Sequence, residues 1–191
     1  AGCRSQIAPR SQTEPMTGFV PVPLPASAAQ PDIRIEVKRA GTAISVVLNY
    51  WIVKGKPSEY DLNRHARAGK VDTWRTMKPP RDWLPNDRLF FWSSSPRREL
   101  VAQGVFLGLT GRKNASGETL YRVRYTTSAL PNPVGASELR AEAGCATANF
   151  LKPAVAQGVL GLELAQAHQM YRLLRRNNPG LTFNWADIPE P

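Results

Sequence analysis

The sequence predicts an α+β domain built on a small mixed β-barrel of five or six strands with peripheral helices. Three observations carry that expectation. Short apolar runs, Tyr50-Trp51-Ile52-Val53 and Leu89-Phe90-Phe91-Trp92, are bounded by turn residues. Tyr121, Val123 and Tyr125 alternate with Arg122 and Arg124, the period-two pattern of a strand with one packed and one basic face. Local turns and short helical stretches fill the intervals, with no internal repeat.

In chain order, residues 1–31 are rich in Pro, Ala, Ser and Gln, a composition that cannot build a core. Ile33–Lys38 alternates strictly, and Ala43–Leu48 resumes strand character after a turn at Ala40-Gly41, which predicts a hairpin. A compact unit then begins, so the expected division is an arm over 1–48 and a domain over 49–191. Val53 closes its first strand. Ser58-Glu59-Tyr60-Asp61 has the form of a capping box opening a helix that Gly69 ends, with Leu62, His65 and Ala66 towards the core. Val71–Thr76 reads as a strand, Pro79-Pro80 breaks the chain, and Leu84–Asp87 turns into the strand Arg88–Trp92.

Phe90 and Trp92 share one face of that strand and Phe91 takes the other, which places Phe91 in the core. Further strands are expected over Leu100–Leu109, Leu120–Thr126 and Ala154–Leu160. Helices are expected over Ser137–Ala143 and Leu162–Arg176, the second with Leu162, Ala165, Gln169 and Leu173 inward and Arg172, Arg175 and Arg176 suited to its C-terminal dipole. The tail after Gly180 reads as coil or an added strand.

At 191 residues the chain fits one domain with an appendage. Its 25 basic and 15 acidic residues give a net charge of +10. Up to Leu48 there are five basic and three acidic residues, and beyond it twenty and twelve, so the excess sits mostly in the domain, where it favours polyanionic partners. Cys3 and Cys145 are the only cysteines, too few for a zinc quartet or a disulfide framework, so no metal is expected. His65 and His168, the only histidines, stand in no nucleophile-elbow or HExxH context. Gly104-Val105-Phe106-Leu107-Gly108 fits no phosphate-loop spacing. The expectation is a non-enzymatic protein without a cofactor. No apolar run reaches the roughly 20 residues that span a bilayer, and the start lacks the apolar core of a signal peptide, which predicts a cytoplasmic, reduced protein.

Three segments carry a family resemblance: YWIVKGKPSEYDL at 50–62, VDTWRT at 71–76 and NDRLFFW at 86–92, with a weaker match in FLKPAVAQGVLGL at 150–162. Together they resemble the EVE domain of the PUA-like superfamily, related to the YTH readers of methylated adenine. The resemblance implies a PUA-like barrel that binds DNA or RNA and accepts one extruded, modified base, of the methylated cytosine or adenine type, often beside a nuclease partner. Many EVE sequences carry an acidic residue with proline in the first turn, where this chain reads Lys54-Gly55-Lys56-Pro57. Before the domain, FVPVPLP and PDIRIEVKRAGTAISV resemble the tail of accessory proteins encoded by insertion-sequence transposons, without the tryptophan-containing end of that family. The junction, at about 47–49, reads as a fusion.

Reading a modified base requires extruding it, stacking it on aromatic rings and testing its edge by hydrogen bonds. A tryptophan on a strand ordinarily packs in a core; the resemblance instead places Trp74 as the cage ring that follows the first helix. Trp92, at the end of its strand before three serines, is expected at the barrel rim as a second stacking ring. Lys54, Gly55 and Ser94 are expected to read the base edge or backbone, because glycine permits close approach and lysine meets a phosphate or base edge. Arg75, Arg97, Arg98 and Arg124 are candidates for phosphate contact. Trp51 and Trp83 read as packing, and Trp185 carries no signal. Stacking contributes about 1–3 kcal/mol per base and burying a methyl only about 0.8 kcal/mol, so strong selection needs an edge hydrogen bond or a tight cage. The alternative is a protein-interaction or relic fusion protein with no nucleic-acid activity.

Overall fold

The computed structural model describes residues 48–152, 158–183 and 185. The chain divides into two units, 1–44 and 45–191, and every described residue belongs to the second. The expected arm, hairpin and transposon-like segment lie outside the described residues.

The structure is α+β, as the sequence predicts. Its strands are β1 (Tyr50–Gly55), β2 (Val71–Thr76), β3 (Arg88–Ser93), β4 (Glu99–Lys113), β5 (Thr119–Tyr125), the two-residue β6 (Val134–Gly135) and β7 (Val159–Leu162). They form one seven-stranded sheet in the order β2-β5-β4-β3-β1-β7, with β6 paired to β4, which is more strands than the five or six expected. β1 and β3 run parallel, with Tyr50 opposite Arg88 and Gly55 opposite Ser93, and the other pairs are antiparallel. The parallel pair needs a long crossover, supplied by the segment carrying α1 (Leu62–His65) and β2.

The strand alternation explains why YWIV and LFFW are apolar at every position. Tyr50, Ile52, Phe90 and Trp92 enter one core with residues of α2 (Ala136–Ala141) and α3 (Leu164–Asn177), while Trp51, Val53, Leu89 and Phe91 enter a second with Val101, Phe106 and Tyr121. Both faces are buried, so neither set is free to be polar. Phe91 lies in the core, and Phe90 and Trp92 share the opposite face. The sheet also curls on itself. The Trp74 ring on β2 packs beside Gly55 on β1 and, with ring centroids 5.3 Å apart, on Phe91 of β3, although β2 and β1 stand four places apart in the strand order.

Several local expectations change. The helix expected to open at Ser58 starts at Leu62, with the Asp61 carboxylate capping Asn63 N–H at 3.2 Å, and ends before Ala66 rather than at Gly69. Glu59 and Tyr60 are instead drawn to β2, as described below. Leu62 and Ala66 are buried, whereas His65 is only half-buried against Tyr60. The buried face of α3 is Ala167, Met170, Tyr171, Leu173 and Leu174. Of the four residues expected inward, only Leu173 is fully buried, because the apolar stripe follows 167, 170, 171 and 174. Trp185, without signal in the sequence, is 1% exposed; its ring stacks on Tyr171 at 5.8 Å and meets Phe90 edge-on at 4.8 Å. Among the described residues no helix is long and apolar enough to cross a membrane.

Candidate base-binding cavity

The curl of the sheet leaves a cavity of about 370 Å³ between the end of β1, the 56–60 turn, β2 and the β4–β5 hairpin. Such a volume lies within the usual range of small-ligand sites, about 300–1,000 Å³. Its walls are the rings of Tyr60, Trp74 and Tyr121, with Gly55 at one end and Lys56, Glu59, Arg75 and Glu118 among its charged lining.

Strand alternation on β2 turns Asp72, Trp74 and Thr76 inward and Val71, Thr73 and Arg75 outward. Trp74 is thereby half-buried, and several neighbours fix it. Its indole Nε1 donates to the Tyr125 hydroxyl at 3.1 Å, its ring lies 5.1 Å from that of Tyr60 at an interplanar angle of 57°, and Phe91 supports it from below. Gly55 makes room: a Cβ there would lie 3.2 Å from the Trp74 ring. Two aromatic walls therefore meet at an open angle, a surface on which a planar ring can lie against one and abut the other.

Tyr60 is held in turn. Its hydroxyl donates to the Asp72 carboxylate and lies 3.4 Å from the Tyr125 hydroxyl, and Lys70 adds a salt bridge to Asp72 at 3.1 Å. Burial, the Asp72 bond and the Tyr125 contact push the Tyr60 hydroxyl well above the ordinary tyrosine range. Tyr125 is pushed up to about 12, chiefly by burial. Both phenols are therefore neutral donors at neutral pH. The Asp72 carboxyl is pushed up by burial but pulled down further by Tyr60, Lys70 and the Thr73 amide, so it is held below its ordinary value.

Of the residues expected in the site, the structure gathers Lys54, Gly55, Trp74 and Arg75 around the cavity. Arg75 does not project freely; it bridges Glu59 at 2.9 Å and Glu118 at 3.5 Å. Trp92 requires a correction. It is 2% exposed on the opposite face of the sheet, edge-on to Phe150 at 5.4 Å, and offers no rim surface for stacking, because α2, α3 and the 3-10 turn Asn149–Leu151 cover that face. Ser94 is half-buried just behind Gly55, whose carbonyl accepts its amide at 2.8 Å, and its hydroxyl is enclosed without a hydrogen-bond partner. Arg97 pairs with Asp61 at 3.3 Å. Arg98 turns away from the cavity to the Leu151 carbonyl at 2.9 Å. Arg124 is exposed on the outer face of β5.

Sequence reasoning missed Tyr60, Tyr121, Asp72 and the carboxylates Glu59 and Glu118. The alternation that turns Trp74 inward also turns Asp72 inward, so that residue was within reach; Tyr60 was hidden by reading its segment as a helix start. Among the described residues, no group of three His, Cys, Asp or Glu side chains could hold a metal ion. A larger, shallower groove of about 1280 Å³ follows the outer face of α3; its described lining joins Glu142, Gln169, Arg172 and Arg176 in one polar network but holds Tyr171 without a second Phe, Tyr or Trp ring to face it.

No protein-family model matches the chain, and no curated protein matches it. Solved structures do match. A hypothetical protein of Leishmania major superposes with a TM-score of 0.53 at 13% identity, over 68% of this chain and 96% of that one. A Rhodopseudomonas palustris protein solved by NMR gives 0.52 at 19% identity, over 72% of this chain and 98% of that one. An ASCH protein of Zymomonas mobilis overlaps at only 0.44 and 11% identity, over 65% of this chain and 94% of that one, and carries no argument. At such identities the likeness shows the fold alone, a small α+β architecture seen in other solved proteins.

Proposed function

We propose that residues 49–191 form a non-enzymatic, nucleic-acid-binding module of the PUA-like, EVE type, which takes one extruded, modified base into the cavity beside Trp74. The observation that carries this reading is the pairing of Trp74 and Tyr60 as two fixed aromatic walls over a cavity of about 370 Å³. Stacking on Trp74 supplies affinity for any base, and selection falls to the polar groups around it. The protein's charge of +10 draws the phosphate backbone. A nuclease acting on the marked strand is the partner this reading favours, and the ligand is DNA or RNA carrying a methylated cytosine or adenine.

The test is a binding screen against duplexes and single strands that each hold one modified base, with the unmodified strand as control, repeated over a range of salt. Preference for one modification, with log affinity falling against log salt at a slope near −4 to −5 for about four to six neutralised phosphates, is the expected result. Equal binding to every strand would reject base reading. A slope near zero would reject backbone-driven binding.

A further inference from the structure

Behind the cavity, three cationic side chains converge on the end of one short turn. The Arg98 and Arg140 guanidinium groups each donate to the Leu151 carbonyl at 2.9 Å, and the Lys54 ammonium reaches the adjoining Phe150 carbonyl at 3.4 Å. The two guanidinium nitrogens share one acceptor, so they can be no further apart than twice that distance. Among the described residues no carboxylate forms a salt bridge with either arginine, in contrast to Arg75, Arg97 and Arg176. A neutral carbonyl satisfies hydrogen bonds but does not cancel charge, so the two guanidinium charges are held close together at one acceptor. Burial and the charge of Arg98 both lower the Lys54 pKa, which reports the same crowding.

The cluster adjoins the cavity through β1. Gly55 faces Trp74, while the next residue back, Lys54, sends its side chain to the other face of the sheet, towards the Asn149–Leu151 turn. Lys54 and Gly158, whose carbonyl accepts the Lys54 amide at 3.1 Å, both line the cavity as well. Lys54, at the end of β1, thus belongs both to the lining of the cavity and to the cation cluster.

We propose that Lys54, Arg98 and Arg140 form an anion site that holds a phosphate of the nucleotide whose base enters the Trp74 cavity. The proposal rests on the base-reading function above and adds a second anchor to it. Two guanidinium groups and an ammonium present the forked and point-charge donors that phosphate oxygens accept. This arrangement separates Arg98 from the other cations expected at phosphate: Arg75 and Arg97 are already matched to carboxylates, and Arg124 lies with Arg122 on the outer face of β5.

The experiment titrates the full chain, by NMR of arginine side-chain signals and by calorimetry, with inorganic phosphate, with 5-methyl-2′-deoxycytidine and N6-methyl-2′-deoxyadenosine, and with their 3′- and 5′-monophosphates. Phosphate alone should move the Arg98 and Arg140 signals. A monophosphate should bind about tenfold more tightly than its nucleoside. That gain should vanish in Arg140→Gln, and should persist in Arg140→Lys and in Arg122→Gln, which removes an exposed charge from β5. If a nucleoside binds but its phosphate adds nothing, or if the gain survives Arg140→Gln or falls equally in Arg122→Gln, the anion site is wrong and the base cavity stands. If phosphate moves the two arginine signals while no nucleoside binds, the anion site stands and base reading falls. Silence to every ligand overturns both.

Discussion

Trp74 on β2 lies against Gly55 on β1, so closely that a Cβ at residue 55 would come within 3.2 Å of its ring. The contact joins strands remote in the sheet order and sets the width of the cavity. Phe91 and the Tyr125 bond restrain Trp74 on its inner side, so an added methyl can be relieved only by moving the ring into the cavity. Gly55→Ala should therefore cost about 1–3 kcal/mol of stability and weaken base binding more than backbone binding. Denaturant melts and paired titrations with modified and unmodified strands check this; unchanged selectivity would show that the contact does not shape the site.

Trp74 and Trp51 should separate on truncation. Trp51 is 7% exposed and donates its Nε1 to Asp87 at 2.8 Å, so Trp51→Ala should cost about 3–5 kcal/mol of stability. Trp74 is half-buried with one face on the cavity, so Trp74→Ala should cost less stability and remove about 1–3 kcal/mol of affinity for the preferred strand. Equal loss of stability in both variants, with normal binding by the folded fraction of Trp74→Ala, would remove Trp74 from the site.

Asp87, fully buried, ties the start of β1 to the turn before β3. Its carboxylate accepts from Trp51 Nε1, Asn49 N–H at 3.1 Å and Leu84 N–H at 3.0 Å. Asp87→Ala leaves these donors without their shared acceptor and should cost about 3–5 kcal/mol, with Asp87→Asn recovering part. Chemical denaturation of the two variants reads the difference. A loss under 1 kcal/mol in Asp87→Ala, about that of one ordinary hydrogen bond, would mean the three contacts do not act together.

Asp72 gives the domain a pH signature. Its folded pKa lies below the unfolded value, so the stability it contributes is present above the unfolded pKa, near pH 4, and is lost as pH falls through the folded value. The urea midpoint of the wild type should therefore drop more steeply below about pH 4 than that of Asp72→Asn, the two curves converging in strong acid. Parallel curves from pH 6 downward would contradict the pairing of Asp72 with Tyr60 and Lys70. Asp72→Asn should also loosen Tyr60 and so weaken base binding at neutral pH.

The sequence alone determined whatever depends on local period. The two faces of Leu89–Trp92, the inward set Tyr121, Val123 and Tyr125 and the outward Arg122 and Arg124 follow from strand alternation, and the structure keeps them. The positions of Lys54, Gly55 and Trp74 around one cavity were reached through motif resemblance, since no local pattern brings β1 to β2. Tertiary structure decided the rest. A strand end such as Trp92 is a rim or a core position according to what covers its face, and here α2, α3 and the Asn149–Leu151 turn cover it. Trp185 acquires its role only by reaching Tyr171 and, far away in the chain, Tyr50 and Phe90. Tyr60 became a cavity wall instead of a helix residue because Asp72, on a strand that curls over it, accepts its hydroxyl. Alternation fixes which way a side chain points; the curl of the sheet and the order of its strands decide what it meets there.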